Sequence, residues 1–310
     1  MRLLLPAGLC ESQLNPRQKE DRGKDRKVIK AKGDTITVNA KNVILATGGY
    51  NFNVDMVKKL TGIDMIPVGA PGRTGDGIKM AMKAGADLWH MSNVSGFNWA
   101  YQSPYLSTCS SASGLAGKGI YAGISGKRFM DENNTYVVKA RTTALQTLDN
   151  QAWVIVDSEC PVLDKVIAKF DRLHSPYGKA DTIEELCKQV NLPEKNVVKE
   201  VKAYNDALAA GKLEEMVPPC TYKKPHPVAK APFYAVPFQG GMTATFGGPL
   251  INTKAEIQSL DGGSIPGLYA AGNAAGGIFF FNYAGGAQLG AATVYGRIAG
   301  RELANRAKQN

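Results

Sequence analysis

Long apolar runs are missing from this 310-residue chain. With no stretch of about 18 apolar residues, no membrane-spanning helix is expected. Histidine is scarce: His90, His174 and His226 stand far apart without ligand-like spacing, so no metal site is expected. The five cysteines, Cys10, Cys109, Cys160, Cys187 and Cys220, contain no C-x-x-C pair. They read as reduced, structural thiols in a cytoplasmic setting. Acidic residues are in deficit, 27 Asp and Glu against 37 Lys and Arg, leaving a net charge of +10. That balance favours anionic ligands, phosphate-bearing cofactors first among them. The basic residues form no aromatic-interleaved stripe, which argues against a nucleic-acid partner. The first ten residues imitate a signal peptide only superficially, because the apolar run is short and Leu9 before Cys10 is a poor cleavage residue.

What is abundant is glycine, 34 residues, in a chain that is 44% hydrophobic and 21% charged. This composition suits a globular α/β protein of one large domain or two ordinary ones. Residues 12–32 are charged and turn-rich and read as a solvated loop. Thr35-Ile-Thr-Val-Asn39 alternates like an outer strand, and Asn42-Val-Ile-Leu-Ala46 is continuously apolar like a buried one, ending at Thr47-Gly-Gly49. Arg73-Thr-Gly-Asp-Gly77 opens a helix with Ile78, Met82 and Ala86 near a 3.6 period and Thr74 or Asp76 as candidate cap. Further on, Thr182-Ile-Glu-Glu185 forms a capping box. A helix from Pro193 carries Val197, Val201, Tyr204 and Leu208 on one face and stops at Gly211. Five prolines between 216 and 232 mark an extended return segment.

The last third holds the densest chemistry. Pro266-Gly-Leu-Tyr-Ala-Ala-Gly-Asn273 reads as a short strand ending in a glycine turn. Phe281-Asn-Tyr-Ala-Gly-Gly-Ala-Gln-Leu-Gly290 reads as a glycine loop entering a helix with Leu289, Thr293, Gly296 and Gly300 on one side. A helix start there offers free backbone N–H groups to an electron-rich ligand, whereas the small residues also suit plain packing on a sheet.

Ala46-Thr-Gly-Gly49, Thr74-Gly-Asp-Gly77, Gly126-Lys-Arg-Phe-Met-Asp-Glu132 and Pro266 through Gly300, in that order, resemble the fumarate reductase/succinate dehydrogenase flavoprotein family across roughly residues 34 to 305. The resemblance implies FAD as cofactor. It implies cofactor contacts at Ala46, Thr47, Gly48, Gly49, Thr74, Gly75, Asp76, Gly272, Asn273, Gly285, Gly286, Gln288 and Leu289. It implies an α/β fold: a Rossmann-like FAD-binding domain, formed by 1–95 and 240–310, interrupted by an α+β capping domain at 96–239. Family members open with a strand, a G-x-G-x-x-G turn and a helix that holds the pyrophosphate. That fingerprint does not occur here, so the expectation is an incomplete FAD-binding domain, truncated or split from its first βαβ unit.

Fumarate-reducing members place an arginine proton donor shortly after the Gly-Lys-Arg-Phe block; this chain has Tyr136 there. Their histidine motif is replaced by Thr243-Ala-Thr-Phe-Gly-Gly248, and their substrate arginine by Tyr283 in Asn282-Tyr-Ala-Gly-Gly286. Tyr136 and Tyr283 instead resemble the 3-ketosteroid Δ1-dehydrogenase branch, in which tyrosines exchange a proton and polarise a carbonyl. Either tyrosine equally suits aromatic packing. Arg141 is a displaced proton donor, or faces solvent or caps a carboxylate. Phe97, Trp99, Tyr101, Phe279, Phe280 and Phe281 suggest an apolar pocket or a core. The expected function is FAD-dependent hydride transfer at a carbon–carbon bond beside a carbonyl, with a small unsaturated carbonyl or carboxylate substrate and no specified redox partner. The alternative is a non-catalytic fragment or a subunit that needs a separate nucleotide-binding chain.

Overall fold

A computed structural model describes residues 2–5, 36–100 and 111–308. The expected loop at 12–32, together with Cys10, Tyr101 and Cys109, lies outside them. Strands β1 (Arg2–Leu5) and β2 (Ile36–Asn39) pair antiparallel. Next come β3 (Val43–Leu45), α1 (Val54–Thr61), β4 (Ile66–Pro67), α2 (Asp76–Lys83), β5 (Leu88–Trp89) and β6 (Phe97–Ala100). The middle carries β7 (Ile120–Gly123), α3 (Tyr136–Gln146), β8 (Ala152–Val156), α4 (Leu163–Arg172), β9 (Gly178–Ala180), α5 (Ile183–Val190) and α6 (Glu194–Ala209). The chain closes with β10 (Phe233–Met242), β11 (Gly248–Pro249), β12 (Glu256–Gln258), β13 (Ser264–Ala270) and α7 (Ala287–Lys308). The fold is mixed α/β.

Strand β10 is the spine. Its first half pairs antiparallel with β8 and β9; beyond a bulge at Gln239/Gly240 it pairs with β6 and, in parallel, with β4. The expected domain boundary at 239 therefore falls inside a strand, at its bulge. The sheet around β8 is covered on both faces. Val154 and Val156 join Tyr121, Phe170 and Phe238 on one side, while Ile155 joins Ile120, Val197 and Tyr204 on the other. Double burial explains why Ala152–Val156 is apolar throughout instead of alternating.

Local chemistry accounts for several elements. Thr182 caps α5 by accepting from the Glu185 N–H at 3.1 Å, and α6 buries Val197, Val201 and Tyr204 as its periodicity requires. Helix α2 departs from expectation. Its N-cap is Gly75, in the left-handed region at φ 81°, and no side chain caps it, because the Thr74 hydroxyl donates to Asp76 instead. Its buried residues are Gly77, Ile78 and Ala81, while Met82 is 49% exposed; the inward face runs through i+3, one position away from the sequence reading.

A second sheet, β12-β13-β3, has β13 parallel to β3. β3 is only partly buried: Leu45 points inward and Ile44 lines an open cleft, which corrects the expectation of a fully buried strand. Helix α7 packs on β13 through Tyr295, Ile298, Ala299 and Leu303. Its small-residue side faces that cleft and is not packed on the sheet. Leu289 is 75% exposed, and a methyl group added at Gly290, Gly296 or Gly300 would touch nothing.

Candidate functional site

The cleft, about 610 Å³, runs between the C-terminal end of β3, the turn after β13 and the start of α7. Six of the residues singled out from the sequence line it: Ala46, Gly48, Gly272, Asn273, Gln288 and Leu289. Thr47 turns the other way, toward α2, where its hydroxyl occupies the space a side chain at Gly77 would need. Gly49 accepts from the Gly75 N–H at 3.2 Å, which ties the turn after β3 to the start of α2, and Thr74, Gly75 and Asp76 do not line the cleft. Gly285 and Gly286 are exposed just before α7 and do not line the cleft.

Gly49 answers to its own protein. A β-carbon there would stand 2.1 Å from Thr245 Oγ1, the atom that accepts the Tyr50 N–H at 3.1 Å. Gly49→Ala is expected to cost about 1–3 kcal/mol through this overpacking, read as a lower urea midpoint at unchanged m-value.

One observation bears on a cofactor. Gln288 Nε2 is buried with no hydrogen-bond partner, at the point where the cleft meets the first turn of α7. The first-turn N–H groups of a helix lack intrahelical acceptors and carry partial positive charge. An unmatched amide, free N–H groups and a wall of Ala46, Gly48, Gly272 and Gly296 suit a flat, hydrogen-bonding, electron-rich ligand such as FAD.

Beyond Gln288 and Asn273 the site becomes aromatic. Phe246 and Phe279 line a small void shared with those two residues, and both rings pack on Tyr283, at 5.5 and 5.9 Å between centroids. Tyr283 meets Tyr136 edge-on at 6.0 Å. The two tyrosines, 147 residues apart in sequence, thus face one another beside the cleft.

Placement of Tyr136 follows from α3. Thr135 caps the helix, accepting from the Val138 N–H at 3.4 Å, which makes Tyr136 its first residue. Helix α3 lies hard against the sheet: side chains at Gly96 or Gly240 would collide with the backbone of Val137 or Ala140. The loop before it is latched by the Gly-Lys-Arg-Phe block. Arg128 pairs with Glu132 at 2.6 Å, both fully buried, and donates to the carbonyls of Pro218 and Pro219 at 2.8 and 3.3 Å. Asp131 accepts from the Thr221 N–H and hydroxyl at 3.1 and 2.7 Å. This block, one of the four that carry the family resemblance, therefore positions Tyr136 and does not touch the cleft. Asp131, Glu132 and Cys220 come within metal-ligand range of one another, a cluster the sequence spacing did not suggest. Their acceptors already serve Thr221 and Arg128, and burial pushes the Cys220 thiol up to about 11.

Burial also pushes the Tyr283 phenol up to about 12, and its hydrogen bond with Tyr136 adds to this; Thr243 and Ser95 act in the opposite direction. Thr243, from the segment that replaces the histidine motif, is bonded at 2.7 Å to Ser95, a residue the sequence reading did not single out. A hydroxyl on a loop carries no pattern until the fold sets it beside a partner. Of the expected aromatic pocket, Phe279 faces Tyr283, while Phe280 is 62% exposed and packs on His90. Phe281 lies under the Arg141 guanidinium at 4.6 Å. Arg141 thus sits against the site-bearing loop and not in open solvent.

Comparison with known proteins matches this chain to a family. The model of the FAD binding domain covers residues 20–289. A probable fumarate reductase, Ifc3, of Shewanella frigidimarina (strain NCIMB 400) is 32% identical over 272 residues, 87% of this chain and 45% of that protein. The open conformation of a flavocytochrome c3 fumarate reductase superposes with a TM-score of 0.67 at 30% identity, over 86% of this chain and 46% of that one. A 3-ketosteroid delta1-dehydrogenase from Sterolibacterium denitrificans gives a TM-score of 0.73 at 23% identity, over 89% and 55%, a likeness of fold. This chain spans less than half the length of the fumarate reductases it matches. FAD is the cofactor of these relatives' common domain, and the chain belongs to the FAD binding domain family of flavoproteins.

Proposed function

We propose that this chain forms the flavin- and substrate-facing part of an FAD-dependent oxidoreductase acting on a carbon–carbon bond next to a carbonyl. The observation that carries the reading is the Tyr136–Tyr283 pair beside the Gln288 cleft. Bound FAD supplies the hydride acceptor or donor. Ala46, Gly48, Gly272, Asn273, Gln288 and Leu289 would hold it, with Gly285 and Gly286 at the approach to α7 and Thr47, Gly49, Thr74, Gly75 and Asp76 in the turns beside them. Tyr283, kept neutral by burial, donates a hydrogen bond to the substrate carbonyl. That bond stabilises the enolate-like charge that develops when a proton leaves the adjacent carbon. Tyr136 takes this proton during desaturation and returns it during reduction. Phe246 and Phe279 exclude water and favour a ring-bearing unsaturated ketone. Residues 1–95 and 240–310 form the Rossmann-like cofactor side and 96–239 the capping side, meeting along β10. Buried free Cys160, Cys187 and Cys220 fit a reducing, cytoplasmic setting, and no helix among the described residues is long and apolar enough to cross a membrane.

A second reading is favoured by one observation, the exposure of Leu289 on the cleft side of α7. In it, further polypeptide carrying a nucleotide-binding unit completes the cleft, and this chain alone is inactive. Titrating the purified chain with FAD separates the two. Quenched flavin fluorescence with a perturbed 450 nm band is expected from the first reading, and unaltered free flavin from the second.

A further inference from the structure

Ser95 and Thr243 bring two hydroxyls to Tyr283 from segments 148 residues apart, with their oxygens 2.7 Å from one another. Both are held through the backbone. The Ser95 N–H donates to the Ala244 carbonyl at 2.9 Å, and the Thr243 carbonyl accepts from Arg73 Nη1 at 2.6 Å. Ser95 is fully buried, and the glycine after it lets α3 approach: a β-carbon at Gly96 would stand 2.6 Å from the Val137 backbone, one residue beyond Tyr136. The hydroxyl pair is thus fixed between the end of β10 and the helix that carries Tyr136.

Counting protons gives the direction of the hydrogen bonds. Each of the two hydroxyls has one proton to give and lone pairs to accept with. Whichever donates, one proton of the pair is spent on the bond between them. The other has the Tyr283 phenol as its partner. Hydrogen bonds from Thr243 and Ser95 favour the ionised form of that phenol, so its oxygen accepts them. The bond between Tyr283 and Tyr136 acts in the opposite direction, so there Tyr283 donates. Among the described residues Ser95 Oγ has no acceptor besides these, and a reversed chain ending on it would strand a buried hydroxyl proton. Phe246 and Phe279, the other rings against Tyr283, carry no hydroxyl to compete.

We propose that Ser95 and Thr243 are positioning residues: by occupying the lone-pair side of the Tyr283 oxygen they commit its one proton to the Tyr136 side, where a substrate carbonyl would take it. The chain runs one way, from the hydroxyl pair to Tyr283 to Tyr136, and the carbonyl replaces Tyr136 as the acceptor. The donor is then aimed before charge develops on the carbonyl oxygen. The substrate step rests on the proposed role of the tyrosine pair, whereas the hydroxyl chain does not, and the test separates them.

With 3-fluorotyrosine at position 283 of the full chain, ionisation is followed by fluorine NMR against pH; the fluorine acidifies the phenol and brings its titration within reach. Thr243→Val is expected to lower the ionisation constant about threefold to tenfold, moving the midpoint to higher pH, because a donor to the phenolate is lost. Ser95→Ala is expected to act in the same direction, and Thr243→Ser, which keeps the hydroxyl, to leave the midpoint in place. Thr243→Ala carries the expectation of the valine variant should that one fail to fold. A role in packing alone would move stability and not this ionisation. With FAD bound, Thr243→Val is expected to lower kcat for cyclohex-2-enone about threefold to tenfold at unchanged KM. An unchanged or lower midpoint in Thr243→Val or in Ser95→Ala overturns the proposal, as does a Thr243→Val chain that keeps the wild-type kcat where Tyr283→Phe loses it. The expected midpoints together with an undiminished rate in Tyr283→Phe leave the hydroxyl chain standing and count against the tyrosine reading alone.

Discussion

Replacing Tyr283 by phenylalanine is expected to slow turnover of a cyclic enone by about 10²–10³-fold with FAD bound, because it removes one preorganised donor to the developing oxyanion. The ring packing against Phe246 and Phe279 is retained in the variant, so stability changes little and the loss is chemical. Tyr136→Phe, which removes the proton-exchanging hydroxyl, is expected to cost about 10²–10⁴-fold. The double variant is expected to lose far less than the product of the two, since the hydroxyls act as a unit. Single-turnover absorbance at 450 nm follows the step directly. The pH profile adds a signature: with its pKa raised to about 12, Tyr283 stays protonated as pH rises from neutrality, so its donor role persists through pH 10. Any alkaline limb below that pH belongs to another group and should survive in Tyr283→Phe. An unchanged rate in both single variants would remove the tyrosines from the mechanism.

The largest stability effect is expected at Arg128. Arg128→Met leaves Glu132 charged, buried and unpaired, and also strands the Pro218 and Pro219 carbonyls. A loss of about 3–5 kcal/mol is expected, measured by urea denaturation. The double variant Arg128→Met/Glu132→Met should recover a substantial part of it, because no buried charge then remains. Recovery of stability need not restore activity: the latch holds the loop from Asp131 to Thr135, and with it the first turn of α3 and Tyr136. A near-neutral Arg128→Met would show that the pair is not buried as described.

Much of the scaffold was legible in the residues. Helix α6 followed from its apolar spacing, α5 from its Thr182 cap, and the strand-turn-helix order around Gly272 and Gly286 from glycine placement. These are local effects, in which propensity and capping act within a few residues. The start of α2 was misread, since both Thr74 and Asp76 are good caps in isolation. Their hydroxyl–carboxylate bond to each other removed them, and a left-handed Gly75 took the position. Ile44 was read as buried because an apolar run does not say whether a neighbouring element covers it. Phe280 and Arg141 were ambiguous for the same reason: exposure is a property of the neighbours, not of the side chain.

The sequence by itself determined the family and the cofactor, because these reside in short motifs whose chemistry depends on few positions. Only the tertiary structure decided that Tyr136 and Tyr283 meet, that Gly75 bonds to Gly49, and that Arg128 is a latch. Each depends on contacts between residues tens to hundreds of positions apart. Such contacts are set by glycine-permitted close approach at Gly96, Gly240 and Gly49, and by burial that pairs Arg128 with Glu132.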